Sequence, residues 1–289
     1  MTNKRLPIIF GEVLFDCFPG NENVLGGAPF NVAWHLQALG DSPYFISRIG
    51  NDALGNSIKG AMSDWGLRTG GLQTDLRYST GRVEVKFIGQ EPHYSIMSNS
   101  AYDYIEAEAL PDNITPAMIY HGTLALRSLA SKQSFNKLLE TYRAPVFLDV
   151  NLRQTWWDKS EVLQWLSRAT WAKLNKDELS ILHGQGDLKA TMMACKQRHE
   201  LDLVLVTLGE EGAIALTNTD EFVSVVPEPQ MKFVDTVGAG DAFTAVLMHG
   251  LLNDWSLVFA METAQKFASA IVGQRGATPQ DKKFYAFIE

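Results

Sequence analysis

Cysteine is scarce in this chain, since only Cys17 and Cys195 occur among its 289 residues. Two cysteines so far apart form no disulfide framework and give none of the short spacings that bind zinc. No hydrophobic run is long enough to cross a bilayer, and the first residues contain no secretory h-region. We therefore expect a protein of the reducing cytoplasm that has no membrane partner.

Positive charge is also in deficit. The chain has 25 Lys and Arg residues against 33 Asp and Glu residues, a formal charge of −8 and a pI near 5.3. A nucleic-acid surface needs a basic stripe, so this composition argues against a nucleic-acid partner. A small anionic substrate stays compatible with it, because such a ligand meets the local charge of its pocket.

The phosphate-binding motifs of two large kinase classes are missing as well. No G-x-x-x-x-G-K-[ST] sequence occurs, which excludes a P-loop enzyme, and no H-R-D or D-F-G sequence occurs, which excludes a protein kinase. The six His residues are scattered and form no metal-ligating set. Any phosphate chemistry must therefore use a different scaffold.

Apolar segments of strand length alternate with segments of helical periodicity along most of the chain. The pattern predicts strands at 6–15, 44–49, 118–122, 146–150, 172–174 and 203–207, a hairpin at 212–226, and helices at 29–39, 52–65, 239–252 and 256–272. Such alternation favours a mostly parallel sheet covered on both faces by helices. A length of 289 residues fits one large α/β domain or two smaller ones, and because no clear interdomain linker occurs we expect a single domain spanning residues 1–289.

One segment departs from this order. Between residues 80 and 97 apolar residues alternate with charged ones on both sides of a G-Q-E-P turn. This pattern predicts an antiparallel hairpin with one wet face. Because the hairpin interrupts the α/β alternation, we interpret it as a lid or an edge insertion.

The most informative stretch is F-V-D-T-V-G-A-G-D-A-F at 233–243, which predicts an extended segment, a glycine turn and the start of an apolar helix. The N–H groups of a helix N-terminus attract phosphate. Asp241 beside them would then accept a proton from an attacking hydroxyl. For Asp241 by itself a helix cap is the better interpretation. A dinucleotide fingerprint fits poorly, because Phe243 stands in place of its third glycine.

Polar residues follow other predicted strands, at the edge where open α/β sheets bind ligands. Asp16 ends the first strand, and paired glycines precede Asn31. Asp149, Asn151 and Arg153 alternate after another strand, where an arginine suits phosphate or a substrate oxygen. The simpler alternatives are a solvated loop carboxylate, a proline-led helix start and a surface ion pair.

Two further strand ends offer groups to a nucleotide. Asn175 and Glu178 have the spacing of a capping box, and that structural role is strong. The functional alternative is that Glu178 holds a water on Mg²⁺. Thr207 begins the turn T-L-G-E-E-G, which either presents a hydroxyl and N–H groups to a nucleotide or only reverses the chain.

Together these motifs resemble those of the ribokinase-like carbohydrate kinases, the PfkB family, over essentially the whole chain. D-T-V-G-A-G-D at 235–241 matches the highly specific C-terminal signature, and G-G-A-P-F-N-V-A at 26–33 with R-I-G-N-D-A-L-G at 48–55 matches the N-terminal region. G-E-V-L-F-D at 11–16 is most similar to the fructokinase branch. D-V-N-L-R at 149–153 is similar to a segment shared by fructokinases and 2-keto-3-deoxygluconate kinases, so it does not distinguish between these two groups.

The resemblance implies a fold and a reaction. The fold is a three-layer α/β/α sandwich with a mostly parallel central sheet and a small β lid, whose elements would lie at about 16–26 and 76–103. The reaction is ATP-dependent phosphorylation of a sugar hydroxyl, for which D-fructose is the favoured substrate. The alternatives are 2-keto-3-deoxygluconate or another sugar or sugar acid, and a regulator that binds sugar without catalysis. An intact Asp241 argues against the regulator.

The resemblance also implies residue roles. Asp241 is expected to be the catalytic base beside an anion hole formed by Gly238, Ala239 and Gly240. The sugar side is expected to be formed by Asp16, Gly26, Gly27, Asn31 and Arg153. The nucleotide side is expected to be formed by Asn175, Glu178, Thr207 and Gly209. ATP and Mg²⁺ are the expected cofactors, with Glu178 reaching Mg²⁺ through water, and K⁺ would lie near Asp235 and the 276–277 loop.

Two points stay open from the sequence. A sugar acid needs a cation for its carboxylate, and Arg82, Arg127 and Arg153 are the candidates. A lid with one apolar face would suit pairing with a second lid, so a homodimer is compatible with the alternation without being required by it.

Overall fold

The computed structural model describes residues 6–20, 22–88, 91–111, 113–228, 237–273 and 276–288. The strands β1 to β13 within them are Leu6–Phe10, Leu14–Phe18, Glu22–Gly26, Tyr44–Gly50, Leu72–Asp75, Gly81–Ile88, Glu91–Ile96, Pro116–His121, Val146–Asp149, Trp171–Asn175, Leu203–Thr207, Ala213–Thr217 and Phe222–Val225. The α-helices α1 to α8 are Ala28–Ala38, Ala53–Trp65, Leu129–Thr141, Lys159–Leu166, Lys176–His183, Leu188–His199, Ala239–Leu252 and Leu257–Val272.

Nine of these strands form one sheet in the order β13-β12-β11-β10-β9-β8-β1-β4-β5. The strands from β11 to β5 run parallel, while β12 and β13 add an antiparallel edge. After β1 the chain adds β4 and β5 on one side and then begins again with β8 on the other. The strand order therefore reverses at β1, and the carboxyl ends beside such a reversal are where open sheets bind ligands.

Alternate side chains of the strands enter two different cores. Ile9, Phe45 and Phe147 pack with residues of α1, α2, α7 and α8 on one face. Ile8 and Leu148 pack with residues of α3, α4, α5 and α6 on the other. Strands that are buried on both faces need apolar residues at alternate positions on each face. Their sequences are therefore continuous apolar runs. The predicted three-layer α/β/α sandwich with a mostly parallel sheet is confirmed.

The predicted strand 6–15 is wrong in one respect, because it is two strands in two sheets. β1 ends at Phe10, and β2 begins at Leu14 in a separate four-stranded sheet. At Gly11 a Cβ atom would lie 2.3 Å from Cγ of Pro29, so the chain passes closely under the start of α1. This contact turns the chain out of the large sheet and leaves Glu12 in the crossing segment.

The four-stranded sheet has the order β3-β2-β6-β7, and β6 and β7 form the hairpin predicted between residues 80 and 97. Val83 is buried with Leu14 against Tyr102 and Leu124, whereas Arg82 faces solvent. The small sheet begins at Leu14, two residues before the expected boundary of the lid elements. In the described part of the chain, no helix is both long enough and apolar enough to cross a membrane.

Asp52 joins three elements where the small sheet meets the body. Its Oδ1 accepts from the N–H of Gly55 at 2.8 Å and caps α2, while its Oδ2 accepts from the N–H of Thr80 at 2.9 Å. The hydroxyl of Thr80 donates to Asp52 Oδ1 and accepts from the N–H of Gly50 at the end of β4. One carboxylate thus fixes the start of α2 against the entrance to β6.

We expect Asp52→Ala to lower the free energy of unfolding by about 2–3 kcal/mol, because a helix cap and the bonds to Thr80 are lost together. Asp187→Ala is the matched control, since the Asp187 side chain caps α6 by accepting a hydrogen bond from the N–H of Ala190. Its loss should be about 1 kcal/mol. Urea unfolding at pH 7 measures both, and equal losses would contradict the bridging role of Asp52.

Candidate active site

A cavity of about 550 Å³ lies at the carboxyl edge of the large sheet, beneath the small sheet. Most of the residues expected from the sequence line it together, namely Asp16, Gly26, Gly27, Asn31, Arg153, Asn175, Glu178, Thr207, Gly238, Gly240 and Asp241. Ala239 and Gly209 are not among the lining residues, although each adjoins one or follows one closely. Asp235 lies outside the described residues. The roles of all these residues remain predictions, whereas the structure shows that the eleven lining residues meet at one cavity.

Asp241 lies in the first turn of α7 and faces α1. Asn31 Nδ2 donates to Asp241 Oδ2 at 2.8 Å across 210 positions of sequence. The N-cap of α7 is Gly238 in the left-handed conformation, with φ of 83°, and no side chain caps this helix. Asp241 is therefore not the N-cap residue, and it lies in the first turn, where the helix dipole favours negative charge. The carboxylate is left beside the unbonded N–H groups of a helix N-terminus.

The pKa of Asp241 is raised from its ordinary value to about 6. Burial is the largest cause, because it disfavours the charged form. The hydrogen bond from Asn31 acts in the opposite direction, and the nearby Asp149 carboxylate raises the pKa further. A carboxyl with a pKa near 6 is ionised at neutral pH and is still basic enough to accept a proton.

Gly238 packs tightly on the 276–277 loop. A Cβ atom at Gly238 would lie 2.2 Å from Cβ of Ala277, which is itself buried. Only glycine combines this close approach with the left-handed backbone. The 276–277 loop therefore packs directly against the glycine turn.

Sequence reasoning missed a buried ion pair under this turn. Lys173 Nζ lies 3.0 and 2.8 Å from the two carboxylate oxygens of Asp149, and both side chains are buried. Thr244 on α7 donates to Asp149 Oδ2 at 3.0 Å and to the carbonyl oxygen of Gly240 at 2.9 Å. A Cβ at Gly240 would lie 3.4 Å from Lys173 Nζ, so the ammonium borders the turn.

Burial lowers the pKa of Lys173, but the Asp149 carboxylate outweighs burial and leaves that pKa above its ordinary value. Lys173 is therefore a fixed positive charge at neutral pH, next to the loop expected to bind phosphate. Its signal in the sequence is a lone cation inside the apolar strand W-A-K-L-N at 171–175. Register completes the pair, because Asp149 and Lys173 are direct neighbours on parallel strands.

The expected sugar side is built from two elements that approach closely. A Cβ at Gly26 would lie 3.9 Å from both Asp16 Oδ2 and Asn31 Oδ1. A Cβ at Gly27 would lie 2.8 Å from the carbonyl oxygen of Glu12, so a larger residue is excluded there. Asn31 Oδ1 is buried and has no hydrogen-bond partner among the described residues. These oxygens form a concave acceptor surface that suits vicinal hydroxyls.

The expected nucleotide side has the capping box that the sequence indicated. Asn175 Oδ1 accepts from Glu178 N–H, and Glu178 Oε2 accepts from Asn175 N–H, each at 2.8 Å. Glu178 Oε1 accepts from Leu152 N–H at 2.7 Å, which holds the segment after β9. Asn175 and Thr207 are direct neighbours on parallel strands and both face the cavity. Glu178 thus has a structural role, and it also lines the cavity.

The three candidate arginines are in different places. Arg153 lines the cavity, whereas Arg82 does not, and the buried Arg127 pairs with Asp103 at 2.7 Å. Arg127 also donates to the carbonyl oxygen of Met97 at the end of the hairpin. Arg153 is therefore the one of the three that is positioned to meet a ligand.

We expect Lys173→Met to lower the free energy of unfolding by about 3–5 kcal/mol, because Asp149 would be left as an unpaired buried charge. The double variant Lys173→Met with Asp149→Leu should recover more than half of that loss, since it buries no charge. Urea unfolding at pH 7 measures both variants. A loss below about 1 kcal/mol for the single variant would show that the pair is not buried as described.

Comparisons with known proteins agree with this geometry. Residues 18–283 match the pfkB family of carbohydrate kinases. Fructokinase-1 of Oryza sativa is 28% identical over 306 residues, covering 96% of this chain and 94% of the relative. The crystal structure of Vibrio cholerae fructokinase with fructose, ADP and calcium has a TM-score of 0.85 at 24% identity, covering 99% of this chain and 100% of that one.

A double mutant of the Vibrio cholerae fructokinase, with fructose, ADP and potassium bound, has a TM-score of 0.84 at 23% identity and covers 99% of both chains. The family match extends over most of the chain, and eleven of the site residues expected from the sequence line the described cavity. This chain belongs to the pfkB family of carbohydrate kinases.

Proposed function

We propose that this carbohydrate kinase transfers the γ-phosphoryl group of ATP to a hydroxyl of D-fructose, with Asp241 as the general base. The observation that supports the proposal is that Asp241 lines one cavity together with the residues expected on the sugar side and those expected on the nucleotide side. The similar Oryza sativa protein is a fructokinase, and the Vibrio cholerae structure contains fructose and ADP.

The cavity supports an in-line transfer between its two halves. Asp16, Gly26, Gly27 and Asn31 orient the sugar so that one hydroxyl lies against Asp241. Asp241 takes the hydroxyl proton as the oxygen attacks, and Asn31 holds the carboxylate in place through its 2.8 Å bond. Removing a proton in this way is general-base catalysis, which contributes roughly 10²–10⁴ in rate.

Charge that develops on the phosphoryl group is stabilised by the glycine turn that precedes Asp241 and by nearby cations. The N–H groups of the turn formed by Gly238, Ala239 and Gly240 point from a helix N-terminus, and Lys173 adds a fixed positive charge next to Gly240. Arg153 lies at the same cavity and reaches either the substrate or the phosphate. Fixed donors of this kind stabilise a transition state without reorganising.

Asn175, Glu178, Thr207 and Gly209 form the proposed nucleotide side. No cluster of three or more His, Cys, Asp or Glu suited to a metal ion occurs in the described ranges, so the residues fit an ion carried on the nucleotide phosphates. Glu178, which lines the cavity, would hold such a Mg²⁺ through water. When bound, Mg²⁺ neutralises phosphate charge. A K⁺ ion near Asp235 remains a prediction, supported by potassium in a Vibrio cholerae structure.

A neutral sugar fits the cavity better than a sugar acid. Asp16 and Asp241 line the sugar side, whereas Arg153 is the one cavity-lining member of the three arginines considered. The acidic side chains that line the cavity outnumber the cationic ones, Arg153 and Lys173, so a ligand carboxylate would meet net negative charge. 2-Keto-3-deoxygluconate and other family substrates remain the alternative, because D-V-N-L-R at 149–153 is common to both branches.

The cellular compartment, the lid and the oligomeric state are proposed from other features of the chain. Cys17 and Cys195 are both free thiols, which suits a reducing cytoplasm. The small sheet over the cavity would act as a lid that excludes water from the transfer. Pairing of this small sheet with that of a second copy remains a prediction, and sedimentation velocity would detect the resulting homodimer.

The proposed activity is tested by ATP-dependent turnover of a sugar panel at low and high K⁺. D-Fructose should be phosphorylated with the highest kcat/KM in the panel, and K⁺ should increase the rate. Turnover of 2-keto-3-deoxygluconate alone would support the sugar-acid alternative. Sugar binding without any turnover would instead identify a regulator and contradict the proposal.

Asp241→Asn should keep sugar and ATP binding within about threefold and should lower kcat by roughly 10²–10⁴, because the amide cannot accept the proton. Asp202→Asn is the matched control, since Asp202 is exposed and is not among the cavity-lining residues. Steady-state kinetics and calorimetric binding measure the two effects separately. Near-normal turnover by Asp241→Asn would exclude Asp241 as the base.

The pH dependence follows from the raised pKa of Asp241. A base must be ionised to act, so kcat/KM should fall about tenfold per pH unit below pH 6. The residual activity of Asp241→Asn should lack this acidic limb. Rates measured from pH 4.5 to 8 check the midpoint, and a midpoint near pH 4 would mean that Asp241 titrates like an exposed carboxyl.

A further inference from the structure

Glu12 is a buried carboxyl to which the proposed reaction assigns no role. It lies in the segment that crosses from β1 to β2, and its side chain is 3% exposed. Glu12 lines the same cavity as Asp16, Asn31 and Asp241. Its Oε2 has no hydrogen-bond partner among the described residues. The fold has therefore buried an unpaired carboxyl oxygen on a residue that lines the cavity beside the proposed sugar-binding residues.

Burying such a group without a partner destabilises the empty protein. An unsatisfied buried acceptor costs about 1–3 kcal/mol, and a charged one costs more. The neighbouring backbone does not require a carboxyl, because the close contact with Gly27 is made by the carbonyl oxygen of Glu12. The bond that the side chain does make is to its own N–H group. A partner for Oε2 is therefore expected from a bound molecule.

We propose that Glu12 is a substrate-binding residue whose free carboxyl oxygen accepts a hydrogen bond from a hydroxyl of the sugar. Hydroxyl groups are the donors that a sugar offers, and a charged acceptor gives a stronger bond than a neutral one. The same carboxylate repels a ligand carboxylate, so Glu12 selects neutral sugars over sugar acids. This inference rests on the proposed function and adds a determinant of its substrate class.

Charged and titratable groups approach Glu12 from every neighbouring element. Burial raises the pKa of Glu12 to about 7, while Arg153 and Arg127 lower it and Asp241 raises it. Tyr120 of β8 and Tyr102 also interact with it electrostatically, but burial raises the pKa of both phenols, so they stay neutral. Glu12 and Asp241 are thus the two carboxyls of this group expected to change charge between pH 5 and 8.

The test is calorimetric binding of D-fructose without ATP, made in the Asp241→Asn background so that Glu12 is the carboxyl that titrates near neutrality. Affinity should rise about threefold to tenfold between pH 6 and 8.5, as Glu12 ionises and its bond strengthens. Adding Glu12→Gln should abolish this rise and weaken binding about tenfold at pH 8.5. Affinity that is independent of pH in the background protein would overturn the proposal, even if the Gln variant fails to fold.

Kinetics of the single variant Glu12→Gln separate binding from structure. The KM for fructose should rise about tenfold at pH 8, with kcat and the KM for ATP within about threefold of the wild type. The raised pKa means that ionisation of Glu12 opposes folding above its unfolded value, so Glu12→Gln should be at least as stable as the wild type at pH 8. A lower Tm with an unchanged KM would show a merely structural residue.

These outcomes are distinct from failure of the proposed function. Fructose that binds with the predicted pH dependence but is not phosphorylated would leave the role of Glu12 intact and contradict the kinase proposal for fructose. Turnover of fructose with a KM that Glu12→Gln leaves unchanged would do the opposite. If no sugar of the panel binds, both proposals are overturned.

Discussion

The buried pair of Asp149 and Lys173 is the interaction on which the site depends. It joins the carboxyl end of β9 to the middle of β10, and Thr244 extends it to α7 through a bond to Asp149. Thr244 also bonds to the carbonyl oxygen of Gly240, so the glycine turn is fixed relative to the sheet. A pair that is buried and fully bonded tolerates little displacement, because separating its charges in a poorly polarisable interior costs several kcal/mol.

This constraint sets the electrostatics of Asp241. The pair places a carboxylate and an ammonium within range of Asp241, where Asp149 raises its pKa and Lys173 lowers it. The two influences partly cancel, and burial with the Asn31 bond then determines a pKa of about 6. The result is a base that is ionised at neutral pH, next to a turn whose N–H groups attract phosphate. Neighbouring groups of opposite charge therefore allow a carboxylate to work beside a phosphate site.

Much of this arrangement was readable from the sequence. Alternating apolar strands and helices predicted the sandwich, and each strand-end loop predicted its place at one edge, because parallel strands end together. The motif at 235–241 identified Asp241. What the motif left undecided was whether its carboxylate caps α7, and the structure answers this through Gly238 and the bond from Asn31.

The remainder depended on contacts between distant residues. The strand predicted at 6–15 is broken by the approach of Gly11 to Pro29, and apolar periodicity carries no sign of that contact. Lys173 was overlooked because a single cation in a strand has meaning only once the register places Asp149 beside it. Glu12 belongs to the motif at 11–16. The lack of a partner for its Oε2 becomes visible only when the burial and the hydrogen bonds of its side chain are known.

The fold raises the pKa of Asp241, so that this carboxylate can accept a proton near neutral pH. A ¹³C NMR titration of the Asp carboxyl carbons tests it most directly, with the resonance assigned by its loss in Asp241→Asn. The account predicts a titration midpoint near pH 6 for Asp241 in the protein without ligands. A midpoint at the ordinary aspartate value, near pH 4, would contradict it.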